Sequence, residues 1–447
     1  MSRTDPAPAT AVARGAAITL AGHAASLARP AAFALFARLQ DADALGALFM
    51  IWTSVELGAR LATLGLDRGL RRWSGDRASA TAGALVLSAV AGLGVALLLI
   101  AGLPYLVPLE PGAVWPARLV IGATLPLVAS GSVALRAARG EAQIAMFVLA
   151  RSVVEPILLL VGGLAMSSVL HGATALLAGF LISIVGGAGV AAWTVVRAIG
   201  LAPLSRALVQ PRRWPLRQLV PTSLPLGLAD LLQSAQGKLD LIAIALVTYS
   251  GQQIAGYAIA SELVSGFTQV RQGYDQIIAP IAVELRGRRA DQIIAPIAVE
   301  PPGRRADLVH LLTVGIRWSL LIALPMALVL VALPGVFLGL FGATRDIAPI
   351  LVILVIGRGV ETVLGPATSV LSVVSHPRLA MWSAASGVAI AIAGQLVLSP
   401  LGPIGIATAS SLGAIAGALI ALRWLARREQ IAPRWSALLA IRAVARP

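Results

Sequence analysis

A chain of 447 residues that is 58% apolar and only 12% charged, with a mean hydropathy of +0.86, has lipid as its main solvent, which excludes a soluble enzyme of this length. The formal net charge of +15 sits in loops between apolar runs, so it speaks for orientation in a membrane and not for nucleic acid as a partner. Cysteine is absent and the four histidines, His23, His171, His310 and His376, lie far apart, which argues against disulfides, thiol chemistry and a metal site; no cofactor is expected.

Residues 1–14 are polar and Pro/Ala-rich and read as a cytoplasmic segment. The apolar stretch that follows, from about Gly15 to Leu39, is longer than a signal-peptide core and contains Arg29 and Pro30, so it reads as a retained first span. Runs of roughly 20 apolar residues between charged or Pro/Gly punctuation then place helices at 15–38, 44–66, 79–102, 115–136, 143–167 and 172–197. A second set falls at 219–248, 253–282, 308–333, 346–372, 379–399 and 403–425. The predicted fold is all-α, a polytopic membrane protein of about twelve transmembrane helices. Its expected parts are a six-helix bundle over 15–197, a basic connector at 198–218, a second six-helix bundle over 219–425 and a basic tail at 426–447.

Arginines fix the orientation. Loop 67–78 holds Arg68, Arg71, Arg72 and Arg77, and the connector holds Arg206, Arg212, Arg213 and Arg217. Loop 283–307 adds Arg286, Arg288, Arg289, Arg304 and Arg305, and the tail Arg427, Arg428, Arg434, Arg442 and Arg446. The alternate loops near 103–114, 168–171, 249–252 and 400–402 contain none. By the positive-inside rule both termini are expected in the cytoplasm, with the chain in a bacterial inner membrane.

A tandem repeat interrupts the pattern: DQIIAPIAVELRGRRA at 275–290 recurs as DQIIAPIAVEPPGRRA at 291–306, differing only at Leu285/Pro301 and Arg286/Pro302. Such near identity marks a recent duplication or an artefact. The first copy completes the eighth span, whereas the second offers too few apolar residues to cross and is expected in a loop or at the interface.

Mechanism shows in the charges that fall inside spans: Arg29, Arg60, Arg151, Arg271, Arg317 and Arg358, with Lys238, Asp230, Asp240, Glu56, Glu155, Glu262 and Glu361. At roughly 2.5 to 3.5 kcal/mol per mid-membrane charge, these groups must face water, reach an interface or pair. Glu56/Arg60, Arg151/Glu155 and Arg271/Asp275 are spaced i, i+4 and Arg358/Glu361 i, i+3, so local pairs account for them. Arg29 and Arg317 have no carboxylate at either spacing, and Glu262 no base. The seventh span concentrates Asp230, Gln233, Ser234, Gln236, Lys238 and Asp240; Asp230, Ser234 and Lys238 form one stripe, with Asp240 opposite. Such a stripe faces either a cavity or a neighbouring helix through hydrogen bonds.

Three stretches carry a family resemblance: FARLQDADALGALFMIWTSVELGARLATLGLDRGLRRW at 36–73, PTSLPLGLADLLQSAQGKLDLIAIALV with the IAGYAIASELVSGFTQVRQGYDQIIAPIAVE that follows, and SVVSHPRLAMWSAASGVAIAIAGQLVLSPLGPIGIATASSL at 372–412. They resemble the polysaccharide flippase branch of the multidrug/oligosaccharidyl-lipid/polysaccharide exporter superfamily. A departure is Gln395 and Ser399, where that resemblance expects an asparagine and an aliphatic residue. GLD at 65–67 and GYD at 273–275 close corresponding spans, which suggests parallel repeats.

The resemblance implies two six-helix bundles around a central cavity open alternately to each side, and a substrate that is a polyprenyl-diphosphate-linked oligosaccharide for cell-surface polysaccharide. Its partners are then that lipid-linked substrate, membrane lipids and other glycan assembly proteins. Arginine forks bind phosphate oxygens in pairs, so Arg29, Arg317, Arg60, Arg271, Arg358 and Lys238, with Gln233, are the candidate cavity residues. Glu262 and Asp230 are candidates for ion coupling. The rival readings are a drug/cation antiporter of the same superfamily, for which a mainly acidic cavity is expected, a membrane glycosyltransferase or polymerase, for which a large external loop is expected, and a non-transporting partner of a glycan assembly complex.

Overall fold

The computed structural model describes residues 28–433, apart from 288–301 and positions 74, 107, 108, 110, 139, 140, 249, 344, 375 and 376. Every long regular element among the described residues is helical. In chain order these are α1 (Ala28–Leu39), α2 (Ala42–Thr63), α3 (Leu66–Arg72), α4 (Arg77–Leu106), α5 (Pro111–Leu135), α6 (Glu141–Val148), a π turn (Leu149–Val154), α7 (Glu155–Ser167), α8 (Gly172–Ile199) and α9 (Leu201–Val209). After these come α10 (Leu216–Ala235), α11 (Leu239–Thr248), α12 (Gly251–Gly287), α13 (Pro302–Ala332), α14 (Pro334–Leu340), α15 (Ala348–Val374), α16 (Pro377–Leu398) and α17 (Gly402–Arg428).

Eight of the described helical stretches are long and apolar enough to cross a membrane, and one of them, 378–428, runs 51 residues through both α16 and α17. The fold is that of an all-α polytopic membrane protein. Large apolar side chains such as Leu97, Leu98 and Trp115 lie bare on the outer surface, as lipid-facing residues do. Hydroxyls inside spans spend their hydrogen on their own helix: Thr124, Ser130 and Thr194 each donate to the carbonyl four residues back.

Of the expected spans, one is described only in part, one is broken and one runs longer. Only Ala28–Leu39 of 15–38 is described, and 1–14 lies wholly outside the described residues. The stretch 219–248 is not one helix: α10 ends at Ala235 and α11 begins at Leu239. Between them, Gly237 and Lys238 donate to carbonyls three residues back, in a tight turn. The stretch 253–282 belongs to α12, which runs on to Gly287 and takes up most of the first repeat copy. Of the second copy, 291–301 lie outside the described residues, while 302–306 open α13 and are not loop; Pro302 stands at the first helical position, where its missing N–H costs nothing. Arg345 also stands in a stretch that the arginine alternation assigns to the outer side.

Packing sorts the helices into two compact units, residues 1–259 with 338–344, and residues 260–337 with 345–447. This division falls inside α12, whereas the sequence divides the chain at 198–218. The core of the first unit is made of small residues, Ala82, Ala134, Ala150 and Ala191 with Leu135 and Val195, which let α4, α5, the π turn and α8 approach closely. In the second unit, Gly413 of α17 lies against the Gly387 carbonyl of α16, where a Cβ would meet it at 2.6 Å. Its apolar core joins Leu308, Leu312 and Ile316 of α13 to Val370 and Leu371 of α15 and Leu425 of α17.

Before α4, Asp76 accepts a hydrogen bond of 3.0 Å from the Ala78 N–H and one of 2.6 Å from the Ser79 hydroxyl. The Ser79 bond above all holds this carboxyl below the ordinary carboxylate range. A lowered folded pKa gives stability above the unfolded pKa that is lost as pH falls through the folded one. Asp76→Ala is therefore expected to destabilise the protein by about 1 kcal/mol at neutral pH, the usual worth of an N-cap, and by progressively less on acidification. Thermal melts of the purified protein across pH 3 to 7, set against wild type, check both the sign and the trend.

Candidate functional site

The first unit gathers five charged side chains from two stretches far apart in the sequence, α2–α3 and α10 with the turn after it. On α2, Trp52, Glu56 and Arg60 follow at i+4 steps and share one face, while the rest of the helix is largely buried. Facing them, α10 contributes Asp230 and the α10–α11 turn contributes Lys238. Lys238 Nζ lies 2.6 Å from Glu56 Oε2, Arg60 Nη2 3.4 Å from Glu56 Oε1, and Arg60 Nη1 2.7 Å from Asp230 Oδ2. Arg68 of α3 closes the chain on Asp230 Oδ1. Next to it, Asp67 pairs with Arg136 at 3.8 Å.

Glycine sets this register. The line of contacts from α2 and the turn after it to α10, the α10–α11 turn and the start of α12 is antiparallel, and at both ends backbones touch. A Cβ on Gly46 would meet the Gly251 carbonyl oxygen at 2.6 Å, and one on Gly227 would lie 2.7 Å from both the Gly65 Cα and the Leu64 carbonyl carbon. Leu64 and Gly65 turn the chain out of α2 with φ of 51° and 73°; the left-handed conformation is easy for Gly65 and strained for Leu64. The GLD of 65–67 thus has a mechanical meaning: Gly65 seats on Gly227, and one turn further along α10 Asp230 meets Arg60 and Arg68.

Arg29 belongs to the neighbourhood by another route. Its guanidinium lies over the Trp52 ring, 4.9 Å from the centroid, and Trp52 stacks on Phe180 at 5.1 Å. Its Nη2 donates to the Arg151 carbonyl at 3.4 Å, and its Nε is buried with no partner. That carbonyl is open because of Pro156. In the π turn the Glu155 N–H bonds to Ala150, five residues back, and the next residue, Pro156, has no N–H to give. The Arg151 side chain reaches Glu155 at 2.8 Å and Ser132 Oγ at 3.0 Å, beside a small pocket lined by Gly131 and Gly187.

The structure therefore brings together Arg60, Asp230 and Lys238, with Arg29 close to Trp52 on the same α2 face. Local pairing, which accounts for Arg60 in the sequence, is only half of its bonding: Asp230, 170 positions away, is its shorter contact. Gln233 is half-buried one turn beyond Asp230. Asp240 turns away from the cluster, as its position on the helix implies, and accepts the Tyr257 hydroxyl at 2.9 Å. Among the described residues of the second unit, Arg358 pairs with Glu361 at 2.7 Å, while Arg317 on α13 and Glu262 on α12 are half-buried and meet no oppositely charged side chain. Arg271 and Asp275 lie on α12, but their side chains are outside the described residues. Sequence spacing missed Arg68, Trp52 and Pro156 as members of this neighbourhood; Gly65 beside Arg68 and the EP dipeptide at 155–156 were the available signals.

Gly227→Ala is expected to push α10 off the Leu64–Gly65 turn and to lower stability by about 1 to 3 kcal/mol, the usual penalty for overpacking. Gly94→Ala, on α4 with open space around its Cβ, should be neutral or stabilising. Melting temperatures of the two purified variants decide it.

No protein-family model matches the chain, and no curated protein matches it by sequence. Solved structures do match. A multidrug resistance MATE family transporter of the MOP superfamily, in an outward-facing conformation, aligns with a TM-score of 0.67 at 16% identity over 97% of this chain and 97% of that one. A MOP superfamily transporter from Pyrococcus furiosus, described as having a binding pocket of reverse polarity, aligns at 0.68 with 17% identity over 96% of each chain. The lipid II flippase MurJ, in an inward closed conformation, aligns at 0.68 with 12% identity over 91% of this chain and 87% of its own. At such identities the likeness is one of fold, and the chain has the fold that these transporters share.

Proposed function

We propose that the protein is a flippase that carries a polyprenyl-diphosphate-linked oligosaccharide across the bacterial inner membrane by alternating access, for cell-surface polysaccharide, with both termini cytoplasmic. The observation that carries this reading is the polarity of the α2–α10 cluster. Three bases, Arg60, Arg68 and Lys238, surround two carboxylates, and each carboxylate already touches two bases. The surplus is cationic, and Arg29 adds to it with no carboxylate of its own among the described residues. The cluster is also roughly one-fifth to two-fifths exposed, and a charge so placed within a span faces water, because lipid would cost each about 2.5 to 3.5 kcal/mol. A wet, cationic, arginine-rich surface suits a diphosphate and sugars.

A fold shared with a lipid II flippase is compatible with this substrate, and a fold shared with multidrug exporters keeps the drug/cation antiporter in view. Against the antiporter stands the saturation of Glu56 and Asp230 by bases, which leaves neither free to receive a cation. The same reading extends to Arg317, whose charge in α13 meets no carboxylate among the described residues. For ion coupling, Glu262 is a better carrier than Asp230, which two arginines grip.

The test is flipping of a fluorescent polyprenyl-diphosphate oligosaccharide by protein reconstituted in liposomes. Arg29→Ala and Arg317→Ala should each lose a charge-assisted contact of roughly 1.5 to 3 kcal/mol, about 10 to 150-fold in affinity. Arg→Lys, which keeps the charge but not the fork, should fall between. Normal flipping by well-folded alanine variants defeats the diphosphate assignment, and proton-driven exchange of organic cations by the wild type in place of flipping favours the antiporter.

A further inference from the structure

We propose that the connector from Leu201 to Arg217 is a docking surface for anionic phospholipid headgroups, an assignment that stands apart from the transport reading. Helix α8 has 28 residues, about 42 Å at 1.5 Å per residue, against a hydrocarbon core of about 30 Å, so its last turns emerge among the headgroups. There the chain turns at Gly200, with φ of 93°, directly into α9.

Helix α9 is firmly seated on one side and bare on the other. Leu204 and Ala207 are buried in the small-residue core of the first unit. Trp214 folds back over the helix, donating its indole N–H to the Ala207 carbonyl at 2.9 Å, and its Cβ packs on Gly83 of α4. Beside that buried face α9 exposes Leu201 and Leu208, seven residues apart and so on one stripe, with relative exposures of 68% and 40%, and its far side carries the exposed Val209 and Arg206. The connector also exposes four arginines: Arg206 on the polar side of α9, Arg212 and Arg213 in the 3-10 turn Pro211–Arg213, and Arg217 in the first turn of α10. The nearby acid is Asp76, whose carboxyl feels Arg213 but is already engaged by Ala78 and Ser79.

The geometry is that of an interfacial amphipathic helix: leucines at the level of the acyl boundary, guanidinium forks at the level of the phosphates. Fixed by Leu204, Ala207 and Trp214, the segment presents both groups without further ordering. An acidic soluble protein is a poorer occupant, because the bare leucines lie beside the emerging end of a spanning helix, where lipid occupies the space.

Full-length protein in neutral detergent, titrated with phosphatidylglycerol or phosphatidylcholine and read by native mass spectrometry, tests the assignment. Wild type should bind phosphatidylglycerol in preference, and the R206Q/R212Q/R213Q/R217Q variant should lose roughly fivefold in that affinity for each arginine removed. R427Q/R428Q, at the end of α17, should keep it. If the quadruple variant does not fold, R212Q/R213Q carries the test, since both side chains lie exposed in a short turn. Absence of a phosphatidylglycerol preference in wild type, or its full retention in a folded arginine-to-glutamine variant, overturns the proposal.

Discussion

The first unit depends on how closely α2 and the stretch from α10 to the start of α12 can approach. Two glycine contacts, Gly46 on Gly251 and Gly65 on Gly227, let the backbones touch at the ends, and the ion pairs Glu56–Lys238 and Arg60–Asp230 lie between them. Neither device suffices alone. In lipid there is no hydrophobic drive for one apolar helix to seek another, so close packing of small residues supplies the attraction. Packing alone would leave four partly buried charges without partners, each at a cost comparable to a sizeable share of ordinary stability. The glycines bring the charges within reach, and the charges make that one register the only acceptable one, since a slip of a single residue would take Arg60 away from Asp230.

This pairing also explains why the seventh span is broken. An unbroken helix through 219–248 would keep Asp230 and Lys238 two turns apart on a straight line, whereas their partners Arg60 and Glu56 are only one turn apart on α2. The turn at Gln236–Lys238 lets Lys238 reach Glu56 while Asp230 stays on Arg60. Broken spans in membranes are tolerated where other groups satisfy the freed backbone, and here the 3-10 hydrogen bonds of Gly237 and Lys238 do so.

Much of this was legible in the sequence, and the reasons for the exceptions are physical. Apolar run length finds most spans, because the membrane thickness imposes it. The i, i+4 and i, i+3 pairs Glu56/Arg60, Arg151/Glu155 and Arg358/Glu361 all form. Local spacing cannot, however, show that Arg60 has a nearer partner 170 residues away, because helix neighbours in space leave no periodic trace in one chain. Nor does it distinguish a structural glycine contact from the many glycines of an Ala/Gly-rich chain. Gly94 and Gly227 read alike until the backbone opposite Gly227 is seen.

Arg29 shows how far a single backbone feature can reach. Proline inside a helix removes one donor, and in a water-filled setting the orphaned carbonyl simply takes a water molecule. Within a span lipid offers it nothing, so it is satisfied by a protein donor or by an ordered water. Pro156, standing behind a π turn, leaves the Arg151 carbonyl in that position, and the donor it finds is the Arg29 guanidinium. The cation is thereby fixed over Trp52, one and two helical turns from Glu56 and Arg60 along the same face of α2. A carbonyl neutralises no charge, and a cation–π contact attracts without cancelling it. Among the described residues Arg29 is thus held by a carbonyl and a ring, with no carboxylate paired to it. That combination of fixed position and unspent charge is what binding an anion at low reorganisation cost requires.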